Sequence, residues 1–176
     1  MNYSFISKTS NKLSKIQVKS ICKLKNQEWK FGIKSQIDWY YKNVKQNDIH
    51  NLFFINSKLI GYTFLRKRTC VVEKMPRAKI FSKYLYFDTL ILDKKFRKKK
   101  LSNLMMNFNN SVIKHSGYFS FLICKCKSLS FYKKNGWIKL KNNKILLKDH
   151  LLSTYNGMIF NNKNYTKKKY HFFIKK

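Results

Sequence analysis

The chain has 176 residues, of which 44% are hydrophobic and 16% aromatic, and its formal net charge is +32. This composition predicts one domain with a packed core and excludes a chain that is disordered throughout. No apolar run reaches the roughly 18 residues that a membrane-spanning helix needs. The first residues also lack the apolar core of a secretory signal, so we expect a cytoplasmic protein.

The high positive net charge reflects both many lysines and few acidic residues. Ala78 is the only alanine and Pro76 the only proline, a bias that AT-rich codons produce and that also favours lysine. Codon bias does not explain the shortage of acids, since Glu28 and Glu73 are the only glutamates. We therefore expect a basic surface that attracts polyanions such as nucleic acid, anionic lipid or a phosphate-rich cofactor. The scattered cysteines and histidines predict reduced thiols and no metal site.

The first half of the chain predicts two helices and a β-hairpin. Apolar residues at helical spacing predict a helix over 12–25. A second helix is expected over 34–44, with Ser35 as its N-cap and Asp38 as the capping acid. Residues 51–67 contain two apolar runs separated by a short turn, which predicts a hairpin. Residues 68–82 are interpreted as a loop or a poorly formed strand.

The second half predicts a strand, a helix, a strand, a short helix and further strands. Residues 83–92 are apolar almost without interruption, as in a central strand buried on both faces. A helix with Gly117 as its C-cap is expected after Lys100. A strand at 118–124 and a short helix at 128–136 follow. Further strands are expected at 137–140, 144–148 and 155–161, and the last of these contains a turn signal. The tail is a last strand, a frayed end or an interaction arm. The order predicts an α/β or α+β domain around a mixed sheet, with a right-handed βαβ crossover.

The junction after the predicted central strand concentrates positive charge. Asp93 is expected to cap a turn there, and four adjacent cations follow: Arg97, Lys98, Lys99 and Lys100. A helix start presents unpaired N–H groups and the positive end of the helix dipole, so it binds anions. The junction therefore predicts a diphosphate site, with a solvated charge run as the alternative.

Two motifs at this point resemble those of the GNAT N-acetyltransferase superfamily. The stretch LILDKKFRKKKLSNLM is similar to its cofactor motif, a strand followed by Arg/Gln-x-x-Gly-x-Gly/Ala and a helix. Arg97 holds the first position, while Lys100 and Ser102 stand at the two glycine positions. The stretch SLSFYKKNGWIKL (128–140) resembles the second family motif, and the resemblance covers roughly residues 50–140. Lys100 followed by leucine is also similar to the aminoglycoside 2'-N-acetyltransferase branch.

The resemblance implies a fold and a reaction. The expected fold is a mixed, mostly antiparallel central sheet of about six to seven strands flanked by helices. It would form a single domain over 1–176, with core motifs at 83–140 and a basic tail at about 161–176. The implied reaction moves an acetyl group from acetyl-CoA to a primary amine of a small molecule or peptide by direct attack, in a monomer or homodimer.

The resemblance also assigns roles to residues. Asp88 is the expected base, Glu73 the alternative base and Tyr132 the acid that protonates the leaving thiolate. If the strand is buried on both faces, Asp88 would be desolvated. The residues expected to bind the cofactor lie at the strand end, at the helix start and on the second motif: Leu90, Ile91, Leu92, Arg97, Lys98, Lys99, Lys100, Leu101, Ser102, Ser128 and Phe131.

Each role has a structural alternative. Asp88 could be a carboxylate bonded to backbone or to a neighbouring lysine, and Tyr132 could pack in the core beside Phe131. Trp29 and Trp39 are interpreted as core or cleft aromatics. The functional alternative is a basic nucleic-acid- or ribosome-associated binding protein on a GNAT-like fold with weak or no catalysis, and non-specific nucleic-acid contact is compatible with either function.

Overall fold

The structure is a computed structural model that describes residues 2–74, 78–97, 100–147, 155–163, 165 and 168–173. Nine strands and four α-helices lie within these ranges. The strands are β1 Tyr3–Thr9, β2 Ile49–Ile55, β3 Lys58–Lys74, β4 Ala78–Leu92, β5 Ser120–Cys124, β6 Ile138–Lys139, β7 Ile145–Leu147, β8 Asn156–Phe160 and β9 Lys168–Phe172. The helices are α1 Lys15–Asn26, α2 Ile33–Asn43, α3 Leu101–His115 and α4 Leu129–Lys134. None of these helices is long and apolar enough to cross a bilayer.

The chain divides into two compact units. The first comprises Met1–Arg66 and Phe87–Val112, and the second comprises Lys67–Tyr86 and Ile113–Lys176. Strands β3 and β4 and helix α3 each contribute residues to both units. That residues 1–176 act as a single domain stays a prediction.

The sheet is mixed and mostly antiparallel, as predicted. In the first unit the strand order is β1-β2-β3-β4; in the second it is β4-β5-β8-β6, with β9 on β3 and β7 on β9. The pairs β1–β2, β2–β3, β3–β9, β5–β8 and β6–β8 are antiparallel, whereas β4–β5 and β7–β9 are parallel. The expected fold class is thus confirmed, with more strands in the described residues than the six to seven expected.

Helices cover both faces of the sheet in the first unit. Successive residues of a strand point to opposite faces. On β2, Leu52 packs with Ile21 and Leu24 of α1, while the next residue, Phe53, packs with Leu101 and Met105 of α3. Helices α1 and α3 therefore lie on opposite faces, and the end of β4 runs between two packed layers.

Stacked aromatic side chains form the core of the second unit. The rings of Phe121 on β5 and Phe172 on β9 lie 3.7 Å apart, centroid to centroid, and are nearly parallel. Tyr84 of β4 meets Phe172 edge-on at 5.0 Å, and Tyr170 stacks on Phe172 at 5.6 Å. The tail thus contains a last strand, β9, one of the three alternatives that the sequence left open.

The predicted hairpin and βαβ unit are confirmed. Strands β2 and β3 join at Asn56 and Ser57, whose φ angles of 45° and 65° match the left-handed conformation of a two-residue hairpin turn. Strands β4 and β5 pair in parallel on either side of α3 in sequence. Gly117, with a φ of 71°, follows the end of α3 as the sequence predicted.

Of the two alternatives for residues 68–82, the structure shows strand: residues 68–74 and 78–82 belong to β3 and β4, because Cys70 and Val72 are buried and β9 supplies backbone partners for β3. Two other local predictions are wrong. Helix α2 has Gly32, at a φ of 85°, as its N-cap, and Ser35 lies inside the helix. No turn interrupts β8.

Strand β1 was not predicted at all. Its side chains are mostly exposed, so the sequence carries little apolar alternation. The strand pairs with β2 at the sheet edge, where Phe5 stacks on Phe53 with ring centroids 4.3 Å apart. Its existence depends on tertiary pairing that no local pattern reveals.

Candidate active site

A short 3-10 turn at Lys94–Phe96 lies between β4 and α3, and Asp93 is its N-cap residue. Asp93 is buried, and its Oδ1 accepts a hydrogen bond from the Lys95 backbone N–H at 2.9 Å. Its Oδ2 accepts another from Gln27 Nε2 at 3.2 Å. Asp93 therefore caps the turn, as the sequence predicted.

Arg97 forms two side-chain contacts at the junction between β4 and α3. Its Nε donates to the Leu92 carbonyl at 3.1 Å, and its Nη2 donates to Glu28 Oε2 at 2.7 Å. The Arg97 side chain keeps 41% of its surface exposed. The guanidinium is therefore oriented by the fold and still reachable by a ligand. Lys98 and Lys99, expected to bind the cofactor, lie outside the described residues.

Lys100 adopts a left-handed backbone conformation, with a φ of 56°. Among L-residues this conformation is unfavourable by about 1–2 kcal/mol, and glycine adopts it freely. The first family glycine would stand at this position. A residue with a side chain therefore holds a backbone conformation here that suits glycine.

Helix α3 begins directly after Lys100. Leu101 is buried, Ser102 is half-buried, and the Asn103 N–H donates to the Lys100 carbonyl at 3.1 Å. The first N–H groups of an α-helix have no acceptor within the helix. No acidic side chain occupies the first turn of α3. The helix start therefore presents donors and a positive dipole end without a competing carboxylate.

The end of β4 extends past its ladder with β5. The parallel ladder pairs Leu85 with Ser120 and Tyr86 with Phe121, and β4 continues beyond it to Leu92. Ile91 and Leu92 are each buried in one of the two core clusters of the first unit, and Leu90 packs against the cluster that contains Leu92. The expected cofactor-binding backbone at Leu90–Leu92 thus lies on a strand that is packed on both faces.

Asp88 lies farther back on β4 and lines a cleft of about 480 Å³ within the first unit. Its Oδ2 lies 3.6 Å from Arg66 Nη1, and its side chain is 24% exposed. Thr89, Trp29 and Trp39 line the same cleft. An adjacent cation favours the ionised carboxylate. Asp88 is therefore a partly solvated, ion-paired carboxylate rather than the fully desolvated group that a strand buried on both faces would give.

Lys25 of α1 also lines this cleft. Its Nζ lies 4.2 Å from the ring centroid of Trp39 and 5.9 Å from that of Trp29. Burial lowers the pKa of Lys25, and the nearby charge of Asp88 partly offsets this effect. The cleft thus holds an acid and a cation against aromatic walls.

Glu73, the alternative base, lies on the part of β3 that belongs to the second unit. Its Oε1 lies 2.9 Å from His171 Nε2 and 3.6 Å from Lys79 Nζ. These partners engage the carboxylate on the sheet surface. It does not line the cleft that contains Asp88.

Tyr132 lies on α4 in the second unit, next to Phe131, and Ser128 is the N-cap residue of this helix. The Tyr132 ring meets Phe131 and Trp137 edge-on at 5.3 Å and 6.1 Å. Burial raises the pKa of Tyr132, and the nearby Cys124 raises it further. Tyr132 therefore keeps its proton at physiological pH, as an acid must, and it also packs against neighbouring aromatics.

Comparison with known proteins identifies the architecture. No protein-family model matches the chain, and no curated protein matches its sequence. Among solved structures, an acyl-CoA N-acyltransferase from Pseudomonas aeruginosa has a TM-score of 0.65 at 11% identity, covering 91% of this chain and 100% of the other. The Escherichia coli protein ElaA has a TM-score of 0.63 at 14% identity, with the same coverage. The GNAT family N-acetyltransferase YhbS from Escherichia coli, solved in complex with CoA, has a TM-score of 0.59 at 12% identity, covering 89% of this chain and 82% of that one.

The chain has the GNAT fold. The resemblance seen in the sequence is thereby confirmed at the level of fold. In the first unit, Asp88 and Leu90–Leu92 lie on β4, Arg97 lies in the turn that follows, and Lys100–Ser102 lie at the start of α3. Glu73 and the α4 residues belong to the second unit.

Sequence reasoning missed the residues that surround Asp88. Arg66 follows a hydrophobic run on β3, and Lys25 is one of many lysines, so neither is conspicuous in the sequence. Trp29 lies beyond the end of α1, so helical spacing does not link it to Lys25 in the sequence. Trp29 and Trp39 prove to be cleft aromatics, one of the two interpretations left open.

Proposed function

We propose that the chain is an acetyl-CoA-dependent N-acetyltransferase that acts on a primary amine. The left-handed conformation of Lys100 carries this proposal. A lysine is held there in a conformation that suits glycine, at the head of α3 and at the position of the family's first glycine. That observation supports a preserved diphosphate-binding junction on a GNAT fold.

The junction would hold the diphosphate of the cofactor through three kinds of contact. The N–H groups of Leu101 and Ser102 point out of the first turn of α3, where the dipole favours anions. The side chains of Arg97 and Lys100 are exposed and add positive charge, together with Lys98 and Lys99 from the sequence. Charge-assisted hydrogen bonds of this kind are roughly twice as strong as neutral ones.

Other residues would orient the remainder of the cofactor. The backbone of Leu90–Leu92 offers peptide groups on the continuation of β4, which suits an amide-containing arm such as pantetheine. Ser128 and Phe131 on α4 stay proposed cofactor contacts. When bound, acetyl-CoA supplies an activated thioester carbonyl for acyl transfer.

The cleft beside Asp88 would receive the acceptor amine. An amine attacks a carbonyl carbon only through its neutral nitrogen, so the ionised Asp88 carboxylate would take the ammonium proton, directly or through water. As the new C–N bond forms and the C–S bond breaks, Tyr132 would donate its proton to the departing thiolate, and the second proton that leaves the nitrogen would restore the tyrosine. Glu73 stays the alternative base.

Calorimetric titration with acetyl-CoA tests the proposal. We expect binding that weakens in Arg97→Ala and in Lys100→Ala and persists in Lys79→Ala, a matched loss of one exposed cation on the sheet surface. Equal losses in all three variants would mean that bulk charge, and not the junction, binds the cofactor.

A second candidate function is binding of nucleic acid. Besides the charge of +32, a cleft of about 650 Å³ in the first unit is bordered by Lys23, Lys58, Lys94 and Lys95. RNA affinity that falls steeply with salt and is not competed by CoA would favour this function. Loss of RNA binding on addition of CoA would instead indicate one shared anion site at the junction.

A further inference from the structure

The cleft beside Asp88 has aromatic walls. Trp29 and Phe31 come from the connection between α1 and α2, and Trp39 comes from α2. Phe31 is 72% exposed and Trp29 is 37% exposed, although both are large and apolar. Exposed aromatic surface at a concave site indicates a ligand with an apolar or aromatic body.

The cation in this cleft is poorly hydrated. Lys25 lies over Trp39 at 4.2 Å and near Trp29, and burial lowers its pKa. Aromatic faces replace only part of the hydration that an ammonium group loses on burial. The charge of Asp88 offsets only part of this loss, so an anionic group on a ligand would supply a further favourable interaction with Lys25.

Asp88, the acid in the cleft, already forms an ion pair with a second cation, Arg66. The Arg66 side chain is 7% exposed, and its Nη1 lies 3.6 Å from Asp88 Oδ2. Its Nη2 donates to the Asn43 carbonyl at 3.1 Å, which fixes the guanidinium beside the carboxylate. Lys25, Arg66 and Asp88 together therefore carry a net positive charge. A polycationic acceptor would be repelled, whereas a ligand with one amine and one anion would be balanced.

We propose that the acceptor is an amine that also carries one anionic group, such as a carboxylate, on an aromatic or apolar body. Its amine lies toward Asp88, its anion contacts Lys25, and its body packs on Trp29 and Trp39. This assignment rests on the proposed acetyltransferase function and goes beyond it by naming the acceptor class. It disfavours aminoglycosides, which are polycations.

Three matched pairs of amines test the assignment: phenylalanine and 2-phenylethylamine, tyrosine and tyramine, and tryptophan and tryptamine. Members of a pair differ only in the carboxylate. We expect kcat/KM with acetyl-CoA to favour the carboxylated member of at least one pair by about tenfold or more, the value of one charge-assisted hydrogen bond. Spermidine, a polycation, should be a poor acceptor.

Lys25→Met removes the cation and keeps the length of the side chain, and Lys19→Met is its control at an exposed position of the same helix. The preference should vanish in Lys25→Met through loss of the carboxylated acceptor alone, and it should persist in Lys19→Met. A wild-type protein that does not prefer the carboxylated amine in any pair, or a preference that survives Lys25→Met, overturns the assignment.

Calorimetry distinguishes failure of this acceptor assignment from failure of the proposed function. If no amine is acetylated, binding of the same pairs is measured directly. Selective binding of a carboxylated amine that is lost in Lys25→Met supports the anion site even if the transfer reaction is absent. Equal binding of both members, or binding of neither in every pair, overturns it. Failure of acetyl-CoA to bind would count against the proposed function alone.

Discussion

Replacing Lys100 by glycine should stabilise the protein. Lys100 has a φ of 56°, a conformation that costs a side-chain-bearing residue about 1–2 kcal/mol. Glycine avoids this cost but loses about 0.5–1 kcal/mol more through chain entropy on folding. The difference predicts that Lys100→Gly raises the free energy of unfolding by about 0.5–1 kcal/mol, or the Tm by about 1–4 °C for a chain of this length.

Urea denaturation of two control variants isolates the backbone effect. Lys100→Ala removes the same charge but keeps a Cβ, so it should be less stable than Lys100→Gly. Lys94→Gly makes the same substitution in the preceding turn, where φ is not positive, and should lower stability by about 0.5–1 kcal/mol. If Lys100→Gly is no more stable than Lys100→Ala, the junction does not have the glycine-like shape on which the proposed function depends.

Three further predictions concern catalysis, cofactor binding and pH. Asp88→Asn should lower kcat about 100-fold or more and leave CoA affinity intact, as measured by thiol release and calorimetry; an unchanged kcat would remove Asp88 from the mechanism. Glu28→Gln releases Arg97 from its 2.7 Å ion pair, so CoA should bind more tightly; weaker binding would show that Glu28 orients Arg97 productively. His50 is a buried residue of β2, and burial lowers its pKa to about 3. Between about pH 6.5 and that value only the unfolded state binds the proton, so stability should fall by about 1.4 kcal/mol for each unit of pH decrease. In His50→Gln, denaturation at several pH values should show this slope reduced; an unchanged slope would mean that other groups cause it.

The sequence predicted the parts of the fold that local pattern determines. Residues 83–92 form a nearly continuous apolar run because the end of β4 is packed on both faces, and the helix after it shows its apolar face at regular spacing. The junction between them could therefore be located before the structure was known. The pairing of β9 with β3 could not, because it depends on contacts between distant segments.

Some residues of the candidate site could be predicted from the sequence, and others could not. Asp88 and Arg97 were found because they lie next to recognisable motifs on one segment. Lys25 and Arg66 come from α1 and β3, and only the fold brings their charges to Asp88. The left-handed conformation of Lys100 also had no local signal, since lysine rarely adopts it and nothing in its neighbours requires it.

Acetyl transfer itself is the most direct test of the central claim. The purified chain is incubated with acetyl-CoA and a panel of primary amines, and thiol release is followed together with the mass of each amine. We expect thiol release that depends on an amine, with an acetyl group added to that amine and with the rate strongly reduced in Asp88→Asn. Binding of acetyl-CoA without acetylation of any amine, or thiol release that does not depend on an amine, would contradict the proposed function.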